Sequence, residues 1–169
     1  RVHQAEQAGR DEVVELDRWP EASAGRMMTT AYVSCERGRT IAEVIGIIRE
    51  ATEAETVNYV YVITPSKRLD GVLSIRDVLL AEPTATVDTQ LSENVVSVLP
   101  TTDQEEVARR MAKYDLTALP VVDDRGMFLG IITVDDVIDV LTEEQTEDVQ
   151  RLGAVEPLED TYFATTFWT

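Results

Sequence analysis

Cysteine and histidine are almost absent: Cys35 and His3 are the single examples of each. One cysteine excludes an intrachain disulfide, and a small core or surface thiol in a reducing cytoplasm is the default reading. One histidine and one cysteine, far apart in sequence, do not make a zinc site. No loop carries the oxygen-ligand spacing of an EF-hand, so a dedicated calcium site is not indicated. No apolar run approaches the roughly 20 residues that span a bilayer, and no secretory leader is visible. Basic residues are scarce too, 15 Lys+Arg against 32 Asp+Glu, a net charge of −17. That balance argues against nucleic acid, because phosphate binding needs Lys and Arg gathered on one face. There is no Walker loop and no nucleophile–base pair, and Ser74 has no histidine nearby in sequence. An enzyme is therefore not expected.

What is present is a duplication. Residues Gly71-Val72-Leu73-Ser74-Ile75-Arg76-Asp77-Val78-Leu79 recur as Gly130-Ile131-Ile132-Thr133-Val134-Asp135-Asp136-Val137-Ile138. Upstream of each lies an apolar run, Val60-Tyr61-Val62-Ile63 and Leu119-Pro120-Val121-Val122, and both features repeat at an offset of 59. A fixed internal period sets the architecture. It also predicts a pseudo-two-fold cleft between the copies.

Each copy reads as strand-helix-strand-strand-helix. In the first, Tyr32–Ser34 is a short strand. Thr40 then caps a helix through Ile41, Val44, Ile45 and Ile48, with Glu43 completing a capping box. Tyr59–Thr64 and Leu69–Leu73 are strands rich in β-branched residues, and a helix follows from Ser74. In the second, Val95–Leu99 is the first strand and Asp103 caps the helix. Leu119–Asp123 and Leu129–Ile132 are strands, and a long helix starts at Thr133. The early parts of the copies align at an offset of 63, so the first carries about four extra residues near 50–57. Alone, such a unit leaves one sheet face bare; two copies packed sheet to sheet cover it. The class is α/β (α+β).

Ser74 with Asp77, and Thr133 with Asp136, place a hydroxyl at a helix start and an acid three residues on. Capping alone explains both pairs. A glycine-led strand meeting a helix N-terminus also makes an anion site, and the Asp can accept from a ribose hydroxyl.

The acidic residues are unevenly spread. Residues 133–160 hold ten Asp/Glu and one Arg, Arg151, whereas the other 141 residues hold 22 acids and 14 bases. On a helix over 133–152, Val137, Ile138, Leu141, Val149 and Leu152 share one side, and Asp136, Asp139, Glu143 and Glu147 line another. Like charges at this spacing each cost roughly 0.2–0.5 kcal/mol. A solvated face is the plain reading. The sharper one is a surface for a hard cation such as Mg²⁺, which keeps several waters and suits loosely spaced carboxylates.

The two copies of Gly-h-h-Ser/Thr-h-x-Asp (h apolar), with Leu119-Pro120-Val121-Val122-Asp123 before the second, resemble a tandem CBS-domain pair. The resemblance implies adenine nucleotide binding in the cleft. Tyr59, Ser74, Arg76 and Asp77 would line one cleft with Leu116 and Pro120 facing the base, and Thr133 and Asp136 would serve the other. Of the two, the Asp77 cleft is favoured, because Asp136 stands among carboxylates.

Wider similarity sharpens this. Trp19-Pro20-Glu21, Gly25-Arg26-Met27-Met28-Thr29-Thr30, Asp103-Gln104-Glu105-Glu106-Val107-Ala108-Arg109 and Thr146-Glu147-Asp148-Val149 resemble the cytosolic region of MgtE-type magnesium transporters. That resemblance implies a homodimer on the cytoplasmic face of the membrane, sensing Mg²⁺ and coupled to a transmembrane domain of the same full-length chain. It implies metal ligands at Glu105, Asp115, Asp136, Asp139, Glu144, Glu147 and Asp148. Arg1 is not an initiator methionine, so a fragment is expected. Residues 1–26 would end a truncated helical domain and linker, 27–82 form the first repeat, 83–92 a linker, and 93–142 the second repeat. Residues 143–169 would extend the acidic helix toward a connecting segment. A purely nucleotide-sensing module and a purely structural dimerisation module are the alternatives.

Overall fold

The computed structural model describes residues 16–54 and 56–142. Helix α1 (Ala24–Met27) precedes strand β1 (Val33–Cys35), helix α2 (Ile41–Glu50), strands β2 (Tyr59–Ile63) and β3 (Leu69–Ser74) and helix α3 (Ile75–Leu80). A single turn, α4 (Val87–Gln90), leads to helix α5 (Gln104–Tyr114) and strands β4 (Ala118–Val122) and β5 (Phe128–Thr133). Helix α6 is described over residues 134–142; its expected run to residue 152 lies outside the described residues.

Local chemistry sets the helix starts. Thr40 Oγ1 accepts from the Glu43 N–H at 3.3 Å, and the Thr40 N–H donates to Glu43 Oε2 at 2.7 Å, closing a capping box. That backbone bond holds the Glu43 carboxyl below its usual range. Asp103 Oδ1 accepts from the Glu105 N–H at 2.8 Å at the start of α5. Asp115 ends that helix in the left-handed region at φ 52°.

In the first repeat β1 pairs parallel with β2, and β2 antiparallel with β3. In the second, β4 and β5 pair antiparallel. The five-residue strand expected at Val95–Leu99 does not form; it shrinks to one parallel bridge, Val98 with Val121. Val98 N–H donates to the Pro120 carbonyl and its own carbonyl accepts from Val122 N–H. Pro120 has no N–H to continue the ladder, whereas the first repeat has Tyr61 at that position. Beyond the bridge, Leu99 N–H turns to Thr102 Oγ1 at 3.1 Å.

The repeat becomes a spatial pseudo-two-fold. Asn58 Nδ2 donates to Thr117 Oγ1 at 3.1 Å. Leu69 N–H bonds the Gly126 carbonyl, and Phe128 N–H bonds the Lys67 carbonyl. In each case residues 59 apart in sequence, or their immediate neighbours, meet across the axis. Both hairpins also carry an irregularity at matching places, Val62/Ile63 and Val121/Val122.

The segments that precede each repeat cross over to the other one. Thr29 bridges Ile131 on β5, and Ser92 bridges Val72 on β3. Ala24 and Met28 are buried with Val107, Met111, Leu119 and Ile132 of the second repeat. Val87 is fully buried with Val33, Ile41, Val60 and Leu73 of the first. Burial of a valine contributes about 1.5–3 kcal/mol, so the turn at 87–90 belongs to the first repeat's core. A third cluster, Tyr61, Ala118, Phe128 and Ile131, joins the two sheets, which meet face to face as the duplication requires.

Candidate functional site

A cleft of about 210 Å³ opens between the repeats, lined by Tyr59, Tyr61, Val72, Ser92, Asn94, Val95, Val96, Leu116, Ala118 and Pro120. Strand β2 supplies the two tyrosines and β4 supplies Ala118 and Pro120. Alternation along a strand puts residues two apart on one face, which is why 59 with 61, and 118 with 120, face the same space. The crossover segment closes the wall: Val72 and Ser92 exchange both backbone bonds at 3.0 Å. The lining is apolar with a few polar groups, the usual character of a small-molecule site.

Three of the residues that the sequence pointed to, Tyr59, Leu116 and Pro120, are brought together in this lining. Ser74, Arg76 and Asp77 are not among the lining residues. Ser74 pairs with Tyr59 in the β2–β3 register, so the capping group begins at the end of the cleft's own strand. Ser74 Oγ donates to Asp77 Oδ2 at 2.6 Å and accepts from the Asp77 N–H at 3.0 Å. In the second repeat Thr133 is buried and donates to Asp136 Oδ2 at 2.8 Å. Both hydroxyl–carboxylate pairs thus form at the helix starts where capping requires them.

The glycine that leads each motif has a different cause from an anion cradle. A Cβ on Gly71 would lie 2.8 Å from the Ser92 carbonyl oxygen and against Leu91. On Gly130 it would lie 2.6 Å from the Thr29 carbonyl oxygen. Each glycine admits the backbone of the crossover segment, not a ligand.

The residues that the pseudo-axis relates are not alike. Where the cleft has Val95, the offset of 63 gives Tyr32 as its equivalent in the first repeat. The Tyr32 ring packs against Phe128 at 4.5 Å and Tyr61 at 6.2 Å between centroids, and Tyr61 lies 5.1 Å from Phe128. Burial raises the hydroxyl pKa of both Tyr32 and Tyr61. This aromatic cluster, and the lining roles of Asn94 and Val96, escaped sequence reasoning. The signal was available in the 63-residue offset, which matches Tyr32 with Val95.

The acidic candidates do not converge. Glu105 and Asp115 sit at opposite ends of α5, about 15 Å apart along a helix at 1.5 Å per residue. Asp136 is engaged by Thr133, and Asp139 is exposed on α6. Glu144, Glu147 and Asp148 lie outside the described residues. Among the described residues no three His, Cys, Asp or Glu side chains are grouped to hold a metal ion. Nor is any helix among the described residues long and apolar enough to cross a membrane.

Two repeats related by a pseudo-two-fold, with exchanged crossover segments and a cleft between them, define a tandem CBS module. The chain belongs to the CBS domain family, which matches residues 24–83 and 87–143. Within it, the chain is 51% identical over 148 residues to magnesium transporter MgtE of Thermus thermophilus, covering 87% of this chain and 33% of that one. It is 44% identical over 140 residues to MgtE of Bacillus subtilis, covering 82% of this chain and 31% of that one. A crystal structure of the cytosolic domain of the Mg²⁺ channel MgtE in complex with ATP matches with TM-score 0.76 and 50% identity, over 78% of this chain and 53% of that one. The chain spans about a third of the length of these curated relatives.

Proposed function

We propose that the chain is the cytosolic regulatory part of a magnesium transporter, lying at the cytoplasmic face of the membrane and responding to intracellular Mg²⁺. The observation that carries this reading is the 51% identity to an MgtE transporter along 87% of the chain. The acidic face supplies the physical means. Asp135, Asp136 and Asp139 form no ion pair with a described Lys or Arg, and Glu143, Glu144, Glu147 and Asp148 follow them in sequence.

Among the described residues no three carboxylates are grouped, and on this reading the cation acts between faces. Hydrated Mg²⁺ screens carboxylates of two subunits, or of neighbouring domains, that otherwise repel. Glu105 and Asp115 would contribute from α5, Asp136 and Asp139 from α6, and Glu144, Glu147 and Asp148 from the sequence that follows. The partner is a second copy of the chain. Leu79 and Leu80 on α3 and Ile138 on α6 are exposed by 69%, 73% and 55%, and Leu79 and Ile138 are pseudo-two-fold equivalents. Cation binding favours a compact dimer, and that difference in affinity biases an attached transmembrane domain. At 100 times its dissociation constant, Mg²⁺ would stabilise the bound form by about 2.7 kcal/mol. Small-angle scattering and thermal melts with and without millimolar Mg²⁺ test this. Compaction and a higher Tm are expected, and identical profiles refute it.

A second reading, adenine nucleotide sensing, is favoured by the open cleft at Tyr59, Leu116 and Pro120. The base would lie against Leu116 and Pro120, with Ser74, Arg76 and Asp77 at the strand end toward ribose and phosphate. Thr133 would serve the corresponding place in the second repeat. The related cytosolic domain crystallised with ATP supports this ligand class. Calorimetry with ATP, AMP and adenosine against an Asp77→Ala variant tests it, and unchanged affinity in the variant would remove Asp77 from the site.

A further inference from the structure

The strongest basic feature of this acidic molecule lies outside the site just described. A second cleft, of about 300 Å³, is lined by Val96, Glu106, Arg109, Arg110, Lys113 and Tyr114. Three of the chain's 15 basic residues therefore share a single turn of α5. Positions 109 and 113, and 110 and 113, stand at the i,i+4 and i,i+3 spacings that bring side chains together on one face. Like charges at those spacings repel, so the arrangement is unfavourable without an anion.

Only part of that charge is balanced. Glu106 accepts from Arg109 Nη1 at 2.5 Å and from Arg110 Nε at 2.9 Å. The Arg110 bond, foremost, holds the Glu106 carboxyl below its usual range. One carboxylate against three cations leaves two positive charges in excess.

The cations are also placed. Arg110 Nη1 donates to the Ser97 carbonyl at 2.8 Å, which ties the guanidinium to the backbone. Lys113 Nζ sits 5.2 Å over the Tyr114 ring. These bonds use one N–H of Arg109 and two of Arg110, out of five on each guanidinium. The remaining forks suit the oxygens of a phosphate.

We propose that this cleft is an oxyanion site for a phosphate-bearing ligand, bound by Arg109, Arg110 and Lys113. Val96 lines both this cleft and the apolar one, so the two share a wall. The phosphate has two sources, a free oligophosphate or the phosphate end of a ligand whose ring lies in the apolar cleft, in which case its phosphates turn to α5 instead of the strand end at Ser74, Arg76 and Asp77. The proposal is independent of the magnesium reading.

The test is titration of the 169-residue chain in Mg²⁺-free buffer with pyrophosphate, ATP and adenosine, followed by calorimetry and amide NMR. An Arg109→Ala/Lys113→Ala variant is run in parallel. Arg110 is kept because it anchors Ser97. Saturable pyrophosphate binding that perturbs the α5 amides and weakens by about tenfold or more in the variant supports a free oligophosphate, given the strength of charge-assisted bonds. Perturbation of α5 by ATP but not by pyrophosphate or adenosine, lost in the variant, supports the tail of a larger ligand. The proposal is overturned if neither phosphate compound perturbs α5, or if affinities are the same in the variant. Thermal melts of the variant within a degree or two of the parent show that lost binding is not lost folding.

Discussion

Substituting alanine for the leading glycine of each motif separates folding from binding. In Gly71→Ala the new Cβ meets the Ser92 carbonyl at 2.8 Å, and in Gly130→Ala it meets the Thr29 carbonyl at 2.6 Å. The obstacle is backbone held by two hydrogen bonds on either side, Val72 with Ser92 and Ile131 with Thr29. It cannot swing away as a side chain does. Overpacking of this kind costs about 1–3 kcal/mol, and weakening a bridge adds roughly 0.5–1.5 kcal/mol per bond. A loss of about 2–3 kcal/mol is expected for each variant. At about 2–4 °C per kcal/mol for a chain of this size, the Tm falls by roughly 4–12 °C. The two differ in function. Val72 and Ser92 line the open cleft, so Gly71→Ala also weakens nucleotide binding. Thr29 and Ile131 are not among the residues that line that cleft, so Gly130→Ala leaves binding close to the parent value. Urea denaturation and ATP calorimetry read both quantities. An unchanged Tm in either variant, or equal loss of affinity in both, refutes the close-approach argument.

Tyr32→Val removes the ring that packs on Tyr61 and Phe128 and gives this position the residue of its equivalent Val95; a new void there and a raised ligand stoichiometry in calorimetry are expected. Leu116→Ala enlarges the open cleft and should weaken an aromatic ligand several-fold while leaving Mg²⁺-induced compaction unchanged. Arg37 bonds Asp70, Asp88 at 3.1 Å and Glu93 at 2.6 Å, tying the 83–93 segment to the first repeat. Arg37→Gln should therefore lower the Tm at low salt, with the gap closing as salt rises. Burial pushes the Cys35 thiol up to about 11. A raised folded pKa means the native state keeps its proton longer, so this contribution to stability is complete below about pH 9 and is lost as pH rises toward 11. Cys35→Ala should flatten the stability profile over that window in denaturant titrations, and an unchanged slope refutes the assignment.

Much of the architecture was legible because local and periodic signals agree. Thr40, Glu43 and Asp103 name helix starts through bonds a few residues long. The 59-residue repeat predicts two like units, and Asn58 bonding Thr117 shows the axis the repeat implies. The first strand of the second repeat was misjudged because its apolar residues satisfy a strand pattern, while the ladder depends on a distant proline that donates nothing. Of the nucleotide candidates, Tyr59, Leu116 and Pro120 line one cleft because they flank the same two strands. Asn94 and Val96 entered it through a crossover that no local pattern records.

The sequence by itself determined the class of protein and its polarity of charge. Repetition, capping and hydrophobic period are short-range properties, and acidity is a sum over residues. Only the tertiary structure decided what the repeats do differently. It packed Tyr32 on Tyr61 and Phe128 while its equivalent Val95 lines a cleft, turned two motif glycines into passages for backbone, and gathered Arg109, Arg110 and Lys113 beside Val96. Those outcomes rest on contacts between residues tens of positions apart, where packing and backbone approach are set by the whole fold.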